Sequence, residues 1–355
     1  MEADTHEASR VRPTVPKILQ RAAEYNLTEH CNLKCAGCNH FSPHLPQKFA
    51  DVAQFQRDLT ALSEVMHLGV LKILGGEPLL HPDLLKFLHG ARDSGIADEI
   101  TLVTNGLLLH RADPTTFELI DRLWVSLYPG VELPLATDEL KYLSDRYNFT
   151  LDIKKTDSFR STTVSKRHRD GAMVRQIFDR CELAHARSCH TIDQGYYFKC
   201  SPAPFLTARM ALEGEAVINR EFDAVRIHDN PNLREELETY LRDRNPLEAC
   251  HYCLGSSGRR FPHRQLKRGE GHDESYHREL EAAGTIALRS GDRAFARRCY
   301  LGAIRARPFK LGPYLRLAWT LLPHGVTRKI APMLSSRLQH SLSGQLQRTL
   351  TPPKL

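Results

Sequence analysis

Tyr25-Asn26-Leu27-Thr28 runs through Glu29-His30 into Cys31-Asn32-Leu33-Lys34-Cys35-Ala36-Gly37-Cys38. The apolar alternation of the first four residues predicts a strand, and the stretch after it reads as a loop. That loop carries three cysteines spaced C-x3-C-x2-C, and the next cysteine is Cys181. Structural zinc sites close all four metal positions with protein ligands. Iron–sulfur clusters that only carry electrons do the same with four cysteines. Three cysteines leave one metal position free, and chemistry can happen there.

Outward from the loop, strands and helices alternate. Val52, Phe55, Leu59, Leu62 and Met66 make one apolar stripe and predict a helix over 51–68. Gly69-Val70-Leu71-Lys72-Ile73-Leu74 reads as a strand ending at Gly75-Gly76-Glu77-Pro78. His81-Pro82-Asp83 opens a helix that closes near Gly95. Strands at 99–103, 123–127 and 149–153 follow, separated by helices near 114–121 and 137–146. Such alternation indicates parallel βα units. The glycine-rich and polar signals, including Thr104-Asn105-Gly106 and Ser126-Leu127-Tyr128-Pro129, fall at the C-terminal ends of the strands. That edge carries the active site in parallel α/β folds.

The composition is that of a globular protein: 355 residues, 41% hydrophobic and 26% charged. No apolar run has the length of a membrane span and no signal peptide is recognisable, so a cytoplasmic location is expected. In a reducing compartment, nine cysteines imply metal or redox chemistry rather than disulfides. Twelve Lys and Arg and no Asp or Glu lie between Arg293 and Leu355; with a whole-chain charge of +7, the rest of the chain carries −5. The basic end suits either a solvated helical surface or docking on an acidic protein or anionic surface.

The C-x3-C-x2-C loop followed by Gly75-Gly76-Glu77-Pro78 resembles the radical S-adenosylmethionine (radical SAM) superfamily, in motif and strand order over residues 23–160. The resemblance implies a partial (β/α)6 TIM-type barrel. It also implies a [4Fe–4S] cluster on Cys31, Cys35 and Cys38, with S-adenosylmethionine on its free iron. One electron then cleaves the nucleoside, and the 5′-deoxyadenosyl radical removes a substrate hydrogen atom. Gly75, Gly76, Glu77 and Pro78 are placed at its methionine end, with Asn105 and Ser126 at its ribose or carboxylate. The plain readings of the last two are a strand-to-helix turn and an interior hydroxyl. Many relatives carry an aromatic residue before the third cysteine, where this chain has Gly37; Phe41 is one alternative for packing adenine. A reducing partner such as flavodoxin or ferredoxin is also implied.

The later cysteines resemble the SPASM or twitch auxiliary-cluster region. Cys181, Gly195 and Cys200 meet its C-x9-15-G-x4-C pattern, and Cys250 and Cys253 supply a C-x2-C pair. With Cys189 there are five candidates for the four ligands of a second [4Fe–4S] cluster; the spacing to Gly195 favours Cys181. A zinc site is the competing reading. Cys299 reads as a buried apolar residue. Ala296, Tyr300, Ala303 and Pro308 match the second helix of a tetratricopeptide repeat (TPR).

The expected organisation is a lead-in over 1–22, the radical SAM barrel over 23–178 and the twitch-like auxiliary region over 179–256. A linker follows over 257–274, then a helical TPR-like appendage over 275–322 and a basic tail over 323–355. The expected activity is oxidation of a small polyol or sugar-like molecule, with the second cluster as electron acceptor. The alternatives are maturation of a ribosomally made peptide by crosslinking, epimerisation or oxidation, and an iron–sulfur scaffold without turnover. Asp152, Lys154, Tyr128 and His40 are polar groups that face the expected mouth, and none is assigned as catalytic.

Overall fold

The structure is a computed structural model that describes residues 16–187, 190–212, 219–267, 270 and 276–322. Cys189 and the basic tail over 323–355 lie outside the described residues. The first half alternates as β1 (Ile18–Asn26), α1 (Val52–Val65), β2 (Met66–Leu74), α2 (Leu84–Ser94), β3 (Ala97–Thr104), α3 (Thr115–Glu118), β4 (Arg122–Leu127), α4 (Thr137–Tyr147) and β5 (Thr150–Lys155). β1 to β5 pair in parallel and in order. Then come β6 (Ser158–Arg160), α5 (Gly171–Asp179), α6 (Glu182–His185), β7 (His190–Asp193), β8 (Tyr196–Phe198), α7 (Ala203–Leu212), α8 (Arg220–Asp223), β9 (Ala224–Arg226) and α9 (Leu233–Arg242). β10 (Arg260–Pro262) and the helices α10 (Tyr276–Arg289), α11 (Arg293–Ala306) and α12 (Leu311–Leu321) complete the described chain.

The result is an α/β fold on a mostly parallel sheet, in the order β5-β4-β3-β2-β1-β7-β8-β9. The sixth parallel strand, β7, pairs with β1 rather than following β5. The two sheet faces differ. Tyr25, Leu71, Ile73, Leu102, Leu123 and Val125 pack with Phe55, Phe87 and Leu140 of the helices in one core. The opposite face carries the ion pairs Glu24–Lys72 at 3.2 Å, Glu99–Arg122 at 2.8 Å and Asp152–Lys154 at 3.2 Å. A parallel sheet covered by helices on both faces is apolar on both. Here the charged face is the one opposite the helical core.

Several local expectations change. β1 starts at Ile18, inside the expected lead-in, because its ladder extends to Ile18↔Met66. Met66 therefore belongs to β2, not to the preceding helix. The irregular stretch 161–180 contains α5, capped by Asp170, which also pairs with Arg298 of α11 at 3.0 Å. The helices α10 and α11 share a core with Met173, Ile177 and Leu254, and Cys299 is buried in it. The largest correction concerns the expected linker: its residues 260–262 form β10, antiparallel to β6. Polar composition suggested a linker because nothing in the sequence announces a two-strand pairing across a hundred residues. Among the described residues, no helix is long and apolar enough to cross a membrane.

Two contacts position the strand ends. Asp58 of α1 is fully buried. It accepts from Tyr25 Oη at 2.9 Å, Gln54 Nε2 at 2.9 Å and the Gly195 N–H at 3.3 Å, and it also bonds His228. One carboxylate thus ties β1, α1 and the β7–β8 turn together, and that turn uses positive φ at Gln194 and Gly195. The second contact is backbone on backbone. Gly76 N–H donates to Thr28 O at 2.7 Å and Glu77 N–H to His30 O at 3.1 Å. A Cβ on Gly76 would sit 1.9 Å from His30 O, and one on Gly75 would sit 2.7 Å from Thr28 O. The glycines are required by this approach.

Asp58→Ala leaves several buried donors unpaired, and urea titration should show a loss of about 3 kcal/mol. Gly76→Ala should cost about 3 kcal/mol by the same measurement. Gly95→Ala is the control: Gly95 has positive φ but open space around its Cβ position, so it should cost only about 1 kcal/mol. Gly76 has no left-handed φ, so a loss no larger than that at Gly95 would show that the close approach sets no requirement.

Candidate functional site

Because β1 ends against Gly75 and Gly76, the cysteine loop is delivered over the C-terminal edge of the sheet. A cavity of about 230 Å³ opens there. Its walls include Cys31, Cys35, Cys38, Gly75, Gly76, Asn105, Ser126, Tyr128 and Phe159. Four of the six residues expected at a nucleoside therefore meet the three cysteines, although they come from three different strand ends.

Glu77 and Pro78 do not line the cavity. Glu77 is fully buried and accepts from Thr104 Oγ1 at 2.6 Å, the Asn105 N–H at 2.9 Å and the Leu79 N–H at 3.2 Å. Burial pushes its carboxyl up to about 7, against the lowering pull of these donors. In this geometry Glu77 pins the Thr104–Asn105 turn. Asn105 then turns its amide toward the loop, donating to Asn32 Oδ1 at 2.6 Å and reaching Cys31 Sγ at 3.6 Å. Ser126 hydrogen-bonds the Tyr128 side chain. Phe41 packs instead into a separate core with Phe205 and Leu247, with Arg209 over its ring.

The thiols differ in environment. Burial pushes Cys31 up to about 12 and Cys35 to about 11, and the neighbouring cysteines add to the rise. Burial also disfavours the Cys38 thiolate, but hydrogen bonding from His40 outweighs it and lowers the pKa. Three thiols gathered in one poorly hydrated pocket repel one another as thiolates unless a cation shares their charge. Among the described residues, no three His, Cys, Asp or Glu side chains converge tightly enough for a single metal ion. The three cysteines line one cavity, and Gly75 and Gly76 leave the wall beside them free of side chains.

Of the groups expected to face the mouth, Tyr128 lines the cavity and His40 does so beside Cys38. Lys154 pairs in register with Ser126, and Asp152 with Trp124, which puts both acid and base on the charged sheet face. Lys154 Nζ lies 3.7 Å from the centre of the Trp124 ring. The sequence reading missed residues from the supposed linker. His263 Nε2 is 3.2 Å and Gln265 Nε2 3.4 Å from Cys35 Sγ. Tyr128 stacks on His263 with centroids 4.7 Å apart, and Phe159 flanks both. Only the alternation of Phe261 and His263 hinted at order there, over too short a run to read.

A second cysteine group forms nearby. Gly255 adopts positive φ, and a Cβ there would lie 3.3 Å from Cys181 Sγ. Its N–H donates to Cys253 Sγ at 3.1 Å. Burial, then the neighbouring cysteines, push the Cys200 and Cys250 thiols well above their ordinary range. Cys181, Cys200, Cys250 and Cys253 are therefore electrostatic neighbours. Asp223 shapes the C-x2-C turn by accepting from the N–H groups of Glu248 and Ala249 at 2.5 and 2.7 Å. Thr162 stands between the two cysteine groups: its hydroxyl donates to Asn39 Oδ1 at 2.7 Å, and its carbonyl accepts from the N–H of Leu254, next to Cys253, at 2.6 Å.

The chain is similar in part to several known proteins. The GTP 3′,8-cyclase of Chlorobaculum tepidum is 32% identical over 133 residues, 38% of this chain and 36% of that protein. The probable GTP 3′,8-cyclase of Methanopyrus kandleri is 35% identical over 91 residues, 25% of this chain and 28% of that protein. The chain thus matches only about a third of the length of these curated relatives. Among solved structures, BtrN in complex with AdoMet and 2-DOIA is 15% identical, covering 68% of this chain and 96% of its own, with a TM-score of 0.40. The family model described as the radical SAM superfamily, whose members bind a [4Fe–4S] cluster and S-adenosylmethionine, matches residues 25–198. That match starts on β1, takes in the cysteine loop and ends in the β7–β8 hairpin: the chain belongs to the radical S-adenosylmethionine superfamily.

Proposed function

We propose that this protein is a radical SAM enzyme that oxidises a small polyol or sugar-like molecule at a C–H bond and uses a second iron–sulfur cluster as electron acceptor. The observation that carries the reading is the meeting of Cys31, Cys35, Cys38, Gly75, Gly76, Asn105 and Ser126 around one cavity. When bound, the cluster and S-adenosylmethionine supply one-electron cleavage of the sulfonium and abstraction of a hydrogen atom. The chain's own residues do the rest. Cys31, Cys35 and Cys38 hold the cluster. Gly75 and Gly76 offer backbone to the methionine end. Tyr128 and Phe159 form an aromatic wall that excludes water and suits a planar base.

Two features favour a small hydroxylated substrate. Residues 264 and 266, just after β10, bond the backbone of the cysteine loop, which favours a compact substrate over a threaded chain. On the sheet face that bears Ser126, the ion-paired Asp152, Lys154 and Lys72 are polar groups suited to hydroxyls. Cys181, Cys200, Cys250 and Cys253 are the proposed ligands of the second cluster; their thiols are electrostatic neighbours, and four cysteines are the set that closes a [4Fe–4S] cluster.

Anaerobic reconstitution should load about eight iron atoms per chain if two [4Fe–4S] clusters form. Cys250→Ala with Cys253→Ala should halve that; an unchanged count would remove the second cluster from the scheme. Reduced wild type should release 5′-deoxyadenosine from S-adenosylmethionine, and Cys35→Ala should not. Carbon-deuterated polyols supplied with the enzyme should pass deuterium into 5′-deoxyadenosine. Transfer from peptides or nucleotides alone would overturn the substrate class.

A further inference from the structure

Residues 260–266 follow all four cysteines of the second group in the chain, yet they form a strap on the first cysteine loop. The Ala36 N–H donates to Arg264 O at 3.0 Å, and the Leu266 N–H donates to Lys34 O at 2.7 Å. Phe261 roofs Gly37, where a Cβ would lie 2.5 Å from the phenyl Cζ. His263 is 8% exposed, held by the Tyr128 ring on one face. The strap is a fitted part, and its side chains converge on one atom, Cys35 Sγ.

The donors at that sulfur can be assigned. The Lys34 N–H donates to Gln265 Oε1 at 2.6 Å, which fixes the amide so that Nε2 faces Cys35. A metal-bound thiolate only accepts hydrogen bonds. His263 Nε2 lies 3.2 Å from the sulfur and 3.3 Å from Gln265 Nε2, and toward a thiolate it acts as the donor when it carries the ring proton. Cys35 receives two side-chain donors from the strap. Cys31 receives the Leu33 N–H at 3.4 Å and the more distant Asn105 amide.

We propose that the strap sets the electron affinity of the cluster held by Cys31, Cys35 and Cys38, with His263 and Gln265 as positioning residues that act through the Cys35 sulfur. This rests on the cluster reading above. Reduction transfers one electron from a low-potential donor protein, which is oxidised, to the cluster, and no proton or covalent bond changes hands. The added negative charge is shared by the thiolate sulfurs. N–H donors stabilise it more than they stabilise the oxidised state, so they raise the potential. The strap makes the first cluster easier to reduce, and it is in place only when the segment following Cys253 is folded.

The test is a redox titration of the reconstituted full-length protein, followed by electron paramagnetic resonance. The first cluster is identified by the change in its signal on adding S-adenosylmethionine. His263→Phe keeps the stacking on Tyr128 and removes the donor. It should shift the midpoint to more negative potential, with about a tenfold change in the one-electron equilibrium constant, or about 59 mV. Adding Gln265→Met should extend the shift, and His263→Gln, which restores an N–H, should recover part of it. A wild-type midpoint in His263→Phe with full iron content would overturn the proposal. So would iron loss in both His263→Phe and His263→Gln, which would make the strap merely structural. If the wild type itself forms no cluster whose signal responds to S-adenosylmethionine, the reading of the cysteine loop fails instead.

Discussion

The backbone of Gly75 and Gly76 lies so close to Thr28 and His30 that no side chain fits between them. Everything at the mouth depends on this approach. It fixes the chain leaving β1 just before Cys31, so the cysteine loop cannot drift from the edge of the sheet. It also sets Glu77 behind the wall, where its buried carboxylate collects three donors and holds the turn that presents Asn105. A glycine pair that might be explained by a cofactor's need for room is already required by the protein's own packing, and the cavity beside it follows from that packing.

The sheet divides its labour between two faces. Burial of Tyr25, Leu71, Ile73, Leu102 and Leu123 against the helices stabilises the fold. The other face is free to hold charges because they are paired, Glu24 with Lys72 and Asp152 with Lys154. Such pairs add little to stability once desolvation is counted. Their value is a polar surface of defined shape opposite the helical core. Asp58 performs the corresponding task on the helical side, joining the hairpin of β7 and β8 to the first βα unit.

The two cysteine groups are mechanically joined. Thr162 touches Asn39 beside one and Cys253 in the other, and the strap leads from Gly255 back to Cys35. Movement in either group is therefore felt by the other through a few hydrogen bonds rather than across a flexible linker. Elements far apart in sequence form one unit, and the helices α10 and α11 brace it through Asp170 and Leu254.

By itself the sequence determined the βα alternation, the edge on which the motifs fall and the family chemistry of C-x3-C-x2-C with GGEP. Each of these is a local matter: periodicity, glycine at strand ends and thiol spacing act over a few residues. The tertiary structure alone decided that the sixth parallel strand lies beside β1, that Glu77 supports the site rather than lining it, and that His263 and Gln265 reach Cys35. These depend on pairings between segments apart in sequence, by 27 residues for Glu77 with Thr104 and by 228 for His263 with Cys35. In such pairings the deciding terms are burial and the matching of donors to acceptors in space. Polar residues at 257–267 look the same whether they meet water or a sulfur, and only the fold shows which they meet.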